Sequence, residues 1–304
     1  MVIRKLTNSD ILSLSSLYKS GLSSWAIAKR FNTYHSNILH HLKKLKVETR
    51  TKSLAAKEGV KAGRIKIKKN YIPRNLILNE EFSYIIGVLC GDGCVSYNPQ
   101  LRRYQIILAA TDKEFVDKFR DILKSYFKIN LTNEFIKTKN KNWRDQYRAR
   151  LCSREACEFI IKIGNFGKDR WRIPEVVKNS NNKIKSAFIM GFFDSEGEID
   201  KNIGRVGATS MNLMGLKEVK ELLSSLDINS TIIKRKDLKP NTSQKYVLRI
   251  HDKNSIKRFY ELIGFTIKRK QKILKEFLIR KAMLGLDNIR EAVLFPRDPG
   301  RLTP

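Results

Sequence analysis

Acidic residues are scarce in this chain. Asp and Glu together number 30 against 61 Lys and Arg, a formal net charge of +31 over 304 residues. A charged surface of the thermophile type balances its lysines with glutamates. This one does not, so the excess favours a polyanionic partner. Long apolar runs are missing too: no stretch of about 18 residues is apolar enough for a membrane-spanning helix. No basic segment followed by an apolar one opens the chain as a secretory signal would. We therefore expect no membrane association and an intracellular setting: cytoplasm, nucleoid or, for an organelle-encoded chain, the organelle matrix. Cysteine and histidine number four each. No Cys-x-x-Cys pair occurs, and the histidines do not complete a zinc site. Cys90, Cys94, Cys152 and Cys157 read as small buried or partly buried thiols.

Two short segments carry the same pattern. Residues 82–93 read FSYIIGVLCGDG and residues 185–197 read KSAFIMGFFDSEG. Each has small residues four apart, Gly87 with Gly91 and Gly191 with Ser195, and each closes on an acid and a glycine. Residues at i and i+4 share a helix face, where small side chains let a second backbone approach. Gly93 and Gly197 are expected to take the left-handed conformation that ends many helices. A carboxylate near a helix C-terminus opposes the dipole at about 0.3–1 kcal/mol. Its presence at both copies points away from stability alone. Two such helices in contact would bring Asp92 and Glu196 side by side, an arrangement that calls for a cation between them.

The repetition continues downstream. Ile163-Gly164 and Ile263-Gly264 lie 100 residues apart. Asp112–Phe127 and Asn212–Leu226 both have helical apolar spacing, and each follows a strand-like run, Tyr104–Thr111 or Arg205–Ser210. Strand-like pairs follow in turn, 129–138 with 146–152 and 228–236 with 245–251. Each half thus reads helix, two strands, helix, two strands, helix.

This doubled motif resembles the LAGLIDADG homing endonucleases in their single-chain, two-motif form, over roughly residues 79–285. The resemblance implies an α+β fold: tandem αββαββα repeats forming a pseudo-twofold saddle, repeat 1 over 79–180 and repeat 2 over 181–287, with a tail over 288–304. It implies that Asp92 and Glu196 hold divalent metal, Mg²⁺ by expectation, with help from the carbonyls of Gly91 and Ser195. Gly87, Gly91, Gly191 and Ser195 would form the helix interface. The family also places a basic residue near each metal. By the repeat offset Lys168 pairs with Lys268 and Arg170 with Lys270, and these are the candidates, with Lys268 and Lys270 not separable from sequence. The outer face of each sheet would lie in the DNA major groove, which nominates Arg102, Arg103, Arg148, Arg150, Lys234, Lys236 and Arg249. Two departures stand out: Cys90 replaces the first motif's inner Asp, and Ala109-Ala110-Thr111 stands where members often carry Gln.

The first fifty residues read as a separate all-α module. GLSSWAIAKRFNTYHSNILHHLKKL resembles the helix-turn-helix of resolvase-like DNA-binding proteins. Its third helix would offer Ser36, Asn37, His40, His41 and Lys44 to bases or phosphates. Ile11, Leu14, Leu17, Trp25, Ile27, Ala28, Phe31, Ile38, Leu42 and Leu45 are expected to form its core. Residues 51–78 read as a basic linker, with nine Lys or Arg and one acid between Arg50 and Arg74. Three functions fit: a site-specific, monomeric double-strand DNA endonuclease of a mobile element; a DNA-binding regulator of the same fold with idle sites; and a maturase acting on intron RNA.

Overall fold

The computed structural model describes residues 4–65, 72, 73, 75–129, 131–138, 144–167, 169–200, 204–235 and 243–280. The chain divides into two compact units, residues 1–69 and 70–304.

The first unit is helical. Helices α1 (Asn8–Lys19), α2 (Ser24–Arg30) and α3 (His35–Lys44) start at Thr7, Ser23 and Tyr34. The Thr7 and Ser23 hydroxyls accept from backbone N–H groups of the first turn, which satisfies donors the helix leaves orphaned. Leu14, Tyr18, Ile27, Ala28, Ile38 and Leu42 form the core. Three residues expected there lie outside it: Ile11, which is half-buried, Trp25 and Leu45. Trp25 is 68% exposed and Leu45 is 37% exposed. The Trp25 ring instead stacks on His35 at 4.0 Å, and Tyr18, not among the expected residues, is buried in the core. The stretch expected as linker contains α4 (Lys52–Lys61). Arg50 ties that helix to the first: its guanidinium bonds the carbonyls of Tyr18 and Leu22 and pairs with Glu58 at 3.0 Å.

The second unit holds two αββαββα repeats. The first comprises α5 (Glu80–Leu89), β1 (Cys94–Asn98), β2 (Arg103–Ala110), α6 (Lys113–Phe127), β3 (Thr132–Ile136), β4 (Gln146–Cys152) and α7 (Arg154–Ile163). A short α8 (Glu175–Lys178) leads to α9 (Asn182–Glu196), β5 (Gly197–Asp200), β6 (Arg205–Ser210), α10 (Leu213–Ser224), β7 (Thr231–Lys234), β8 (Tyr246–Ile250) and α11 (Lys253–Leu262). Residues 268–280 are again helical. The two antiparallel sheets run β1-β2-β4-β3 and β5-β6-β8-β7. In β4, alternation turns Ala149 and Leu151 inward and leaves Arg148 and Arg150 on the other face. Helix α6 buries Phe115, Val116, Phe119, Ile122, Leu123 and Phe127, and α10 buries Leu216, Val219, Leu222 and Leu223.

Helix α5 is buried on all sides from Phe82 to Leu89, as a helix apolar all round must be. It packs against α9. The Ser83 hydroxyl donates to the Ile184 carbonyl across the contact at 2.8 Å. A Cβ on Gly87 would collide with the Phe188 carbonyl and sit 2.9 Å from the Phe192 nitrogen. One on Gly191 would collide with the Tyr84 carbonyl and sit 3.1 Å from the Val88 nitrogen. Backbone therefore meets backbone.

Each repeat also reaches over the other. From repeat 2, Arg269 forks onto Asp112 at 2.9 and 2.8 Å, and the Lys268 amide donates to Glu114 at 2.6 Å. Both acids start α6. From repeat 1, the Trp171 carbonyl accepts from Asn212 at 2.6 Å and the Ile173 amide donates to Glu218 at 2.8 Å. Gly215, in α10, makes room for the Trp171 ring, which an added Cβ would meet at 2.5 Å.

Candidate active site

The two motif helices end together. Helix α5 stops at Leu89 with Cys90 as its cap, and α9 runs on to Glu196. A Cβ on Gly91 would stand 2.9 Å from the Ser195 hydroxyl and 3.2 Å from the Glu196 Cγ. Gly91, next to Asp92, thus meets the side chains of Ser195 and Glu196, with Asp92 exposed and Glu196 half-buried.

Gly93 and Gly197 are not left-handed. Gly197 has φ −79° and opens β5 in extended conformation, and neither glycine has positive φ. Closeness is what requires them. A Cβ on Gly197 would collide with the Phe193 carbonyl group, with the Phe193 carbon at 2.9 Å, and one on Gly93 would stand 2.9 Å from the Val88 oxygen. Both chains fold back against the last carbonyls of their own helix.

The basic candidates separate. Lys268 is an exposed side chain 3.8 Å from Glu114. Lys270 is only 7% exposed. Its ammonium donates to the Asp194 carbonyl at 2.7 Å and to the Phe193 carbonyl at 3.2 Å, capping the end of α9. Burial pushes its pKa down, and Asp194, Asp92 and Asp112 pull it back up. For Asp92, protein packed around it pushes the pKa up and Lys270 draws it down. The net direction is upward, burial being the larger influence. Lys168 lies outside the described residues.

Asp194, two residues before Glu196, was not legible as a site residue. It is 1% exposed. Its carboxylate accepts from the Tyr84 hydroxyl at 2.8 Å, the Thr266 amide at 3.0 Å and the Thr266 hydroxyl. Burial raises its pKa, against those hydrogen bonds and Lys270. The available signal was the mismatch between Asp194 and Cys90 at the same motif position.

Two carboxylates and two nearby backbone carbonyls are hard oxygen donors, which suit Mg²⁺, Mn²⁺ or Ca²⁺. Among the described residues no group of three or more His, Cys, Asp or Glu is placed to hold a metal. A site with so few protein ligands fits a cation that completes its shell with water and phosphate.

The candidate DNA contacts divide as well. Arg102 and Arg103 are exposed at the β1–β2 turn, where Arg102 has φ 49°. Arg148 and Arg150 both pair with Glu134 on β3, so that acid already neutralises part of their charge. Lys234 is exposed. Arg249 is half-buried, with an Nε that finds no partner among the described residues. It lines a cavity of about 850 Å³ with Glu198, Arg205, Lys234 and Arg235. Lys236 lies outside the described residues. On α3, Ser36, Asn37, His40 and Lys44 are exposed. His41 is half-buried, and its pKa is lowered by burial, then by His40 and Lys44. Cys94 and Cys152 are exposed rather than buried, and all four thiols are free.

The profile of the LAGLIDADG-like domain matches residues 79–164 and 183–264. An uncharacterised protein of Methanocaldococcus jannaschii is 30% identical over 208 residues, 65% of this chain and 71% of that one. The glutamine–fructose-6-phosphate aminotransferase of the same organism is 29% identical over 214 residues, 68% of this chain but only 18% of that enzyme. Among solved structures, the homing endonuclease I-WcaI bound to its DNA recognition sequence is 16% identical, covering 75% of this chain and 97% of that one with a TM-score of 0.49. With both copies of the domain matched in order, this chain belongs to the LAGLIDADG family.

Proposed function

We propose that this chain is a site-specific endonuclease that cuts both strands of a DNA duplex using divalent metal held by Asp92 and Glu196. The observation that supports this most is the contact of Gly91 with Ser195 and Glu196, which brings the turn carrying Asp92 against the end of the helix carrying Glu196. The carbonyls of Gly91 and Ser195 would complete the protein's share of the ligands. A divalent cation supplies Lewis-acid polarisation of phosphate and acidifies bound water. Lys270, held at the end of α9, places positive charge where negative charge develops. The net charge of +31 gives affinity for phosphates, and Arg102, Arg103, Arg148 and Arg150 with Lys234 and Arg249 are the proposed groove contacts. In the first unit, α3 is the proposed recognition helix, offering Ser36, Asn37, His40, His41 and Lys44.

The module makes up most of one relative and under a fifth of another. That distribution suits a self-contained, transferable element, which is how a homing endonuclease spreads. Such a protein acts wherever its DNA is housed.

Plasmid-library cleavage with Mg²⁺ and with Ca²⁺ separates cutting from binding. Asp92→Asn with Glu196→Gln should abolish double-strand cleavage and leave DNA affinity within a few-fold. Full cleavage by the double variant would overturn the assignment. Tight DNA binding without cleavage by the parent would favour the regulator, and preference for structured intron RNA the maturase.

A further inference from the structure

We propose that Tyr84, Asp194 and Thr266 form a positioning cluster for Lys270 in one half of the site, that the other half lacks it, and that the two DNA strands are therefore cut at unequal rates. The last step rests on the endonuclease reading.

The geometry forms a closed ring. The Asp194 carboxylate fixes both the amide and the hydroxyl of Thr266. Four residues later Lys270 returns its ammonium to the backbone carbonyl of that same Asp194. Residues 266–270 are thus pinned at both ends to residue 194. Tyr84 adds a third donor from the opposite motif helix and lies 3.3 Å from the Thr266 hydroxyl. Two of the three ammonium donors of Lys270 are spent on carbonyls, so its reach and direction are set by α9.

The same positions in the other half are apolar. Offsets of 104 in the motif helices and 100 downstream relate Tyr84 to Phe188, Asp194 to Cys90 and Thr266 to Phe166. Phe188 and Cys90 are buried and Phe166 packs against the same core. Lys270 corresponds to Arg170, which is exposed beside Asp169. Packing at this place is therefore satisfied by phenylalanine and a thiol. Burying a carboxylate costs free energy unless its hydrogen bonds are met. The polar version is kept on one side only, the side that carries a buried lysine.

Two measurements on the full chain test this. The first is acylation of lysine amines by a water-soluble active ester, read by mass spectrometry residue by residue. In the parent, Lys270 should react far more slowly than Lys268. Thr266→Val should raise the Lys270 rate several-fold and Tyr84→Phe should raise it less, with Lys268 unchanged. Asp194→Asn should act like Thr266→Val if it folds. The second is cleavage of a site labelled on each strand. The Thr266→Val and Lys270→Met variants should slow one strand up to about a hundredfold, as small misplacements of catalytic groups do, and accumulate nicked DNA. Phe166→Leu should leave the strand ratio as in the parent. A general loss of folding would slow both strands alike. Equal slowing of both strands, or a Lys270 amine equally protected in parent and Thr266→Val, overturns the proposal. A parent that cuts nothing while the labelling pattern appears as described removes the endonuclease reading and leaves the positioning cluster standing.

Discussion

Gly191 has no room for a side chain, because the Tyr84 carbonyl occupies the place of its missing Cβ. Gly191→Val must push α9 off α5. Overpacking of a core typically costs about 1–3 kcal/mol, and this clash is with backbone, which cannot rotate away. The variant should melt lower, and cleavage should fall more steeply than stability because Asp92 and Glu196 move apart. A variant that melts and cuts like the parent would show that the two helices do not meet at this residue. Gly197→Ala makes a separate point. Its extended backbone is open to any residue, yet the Phe193 carbonyl blocks a methyl group. It should therefore destabilise by collision, and thermal denaturation should show a clear loss where a purely conformational role would leave none.

Between elements, the interface consists of more than one helix pair. The Arg269 fork on Asp112 joins repeat 2 to the start of α6. Hydrogen bonding to Arg269, its largest influence, holds the Asp112 pKa below the ordinary carboxylate value. A group depressed on folding contributes stability above its unfolded pKa and loses it as pH falls through the folded value. Asp112→Asn should therefore lower the melting temperature at neutral pH, and the gap from the parent should close as the pH drops below about 4. A gap that stays constant down to pH 2 would exclude the ion pair as its source. In the first unit, Arg50 is the corresponding join, holding α4 to the end of α1. A hydrogen bond to a charged group is worth about 1.5–3 kcal/mol, so Arg50→Ala should lower the unfolding transition of residues 4–65 by an amount of that order. The transition of the second unit should not move.

At the scale of the whole molecule, the charge of +31 makes binding steeply salt-dependent, since each neutralised phosphate adds about 0.9 to the slope of log affinity against log salt. A chain beginning at Asn70 keeps the second compact unit entire. It should fold, remain a monomer and retain metal-dependent nicking. If α3 and the basic residues beside it contact DNA, its affinity should fall and its salt slope shrink. An unchanged footprint and slope would assign the first unit a role away from DNA.

Periodicity alone determined a good deal here. The paired motifs, the 100-residue echo of Ile163-Gly164 in Ile263-Gly264 and the amphipathic run of Asp112–Phe127 all follow from local spacing, and local spacing is what decides helix or strand. The αββαββα order was therefore legible, and the family with it. Trp25 shows where that reasoning ends: it was expected in the core, but it is exposed and stacks on His35, while Tyr18, not expected there, is buried. Lys268 and Lys270 are alike as letters, and only the crossing of residues 266–270 over the end of α9 buries one and exposes the other. The Asp194 cluster joins residues from positions 84, 194 and 266, too far apart for any local pattern to register. Sequence determined which segments are helices and strands, because that depends on neighbours along the chain. Tertiary structure alone decided which polar groups lose water and gain partners, because that depends on neighbours in space.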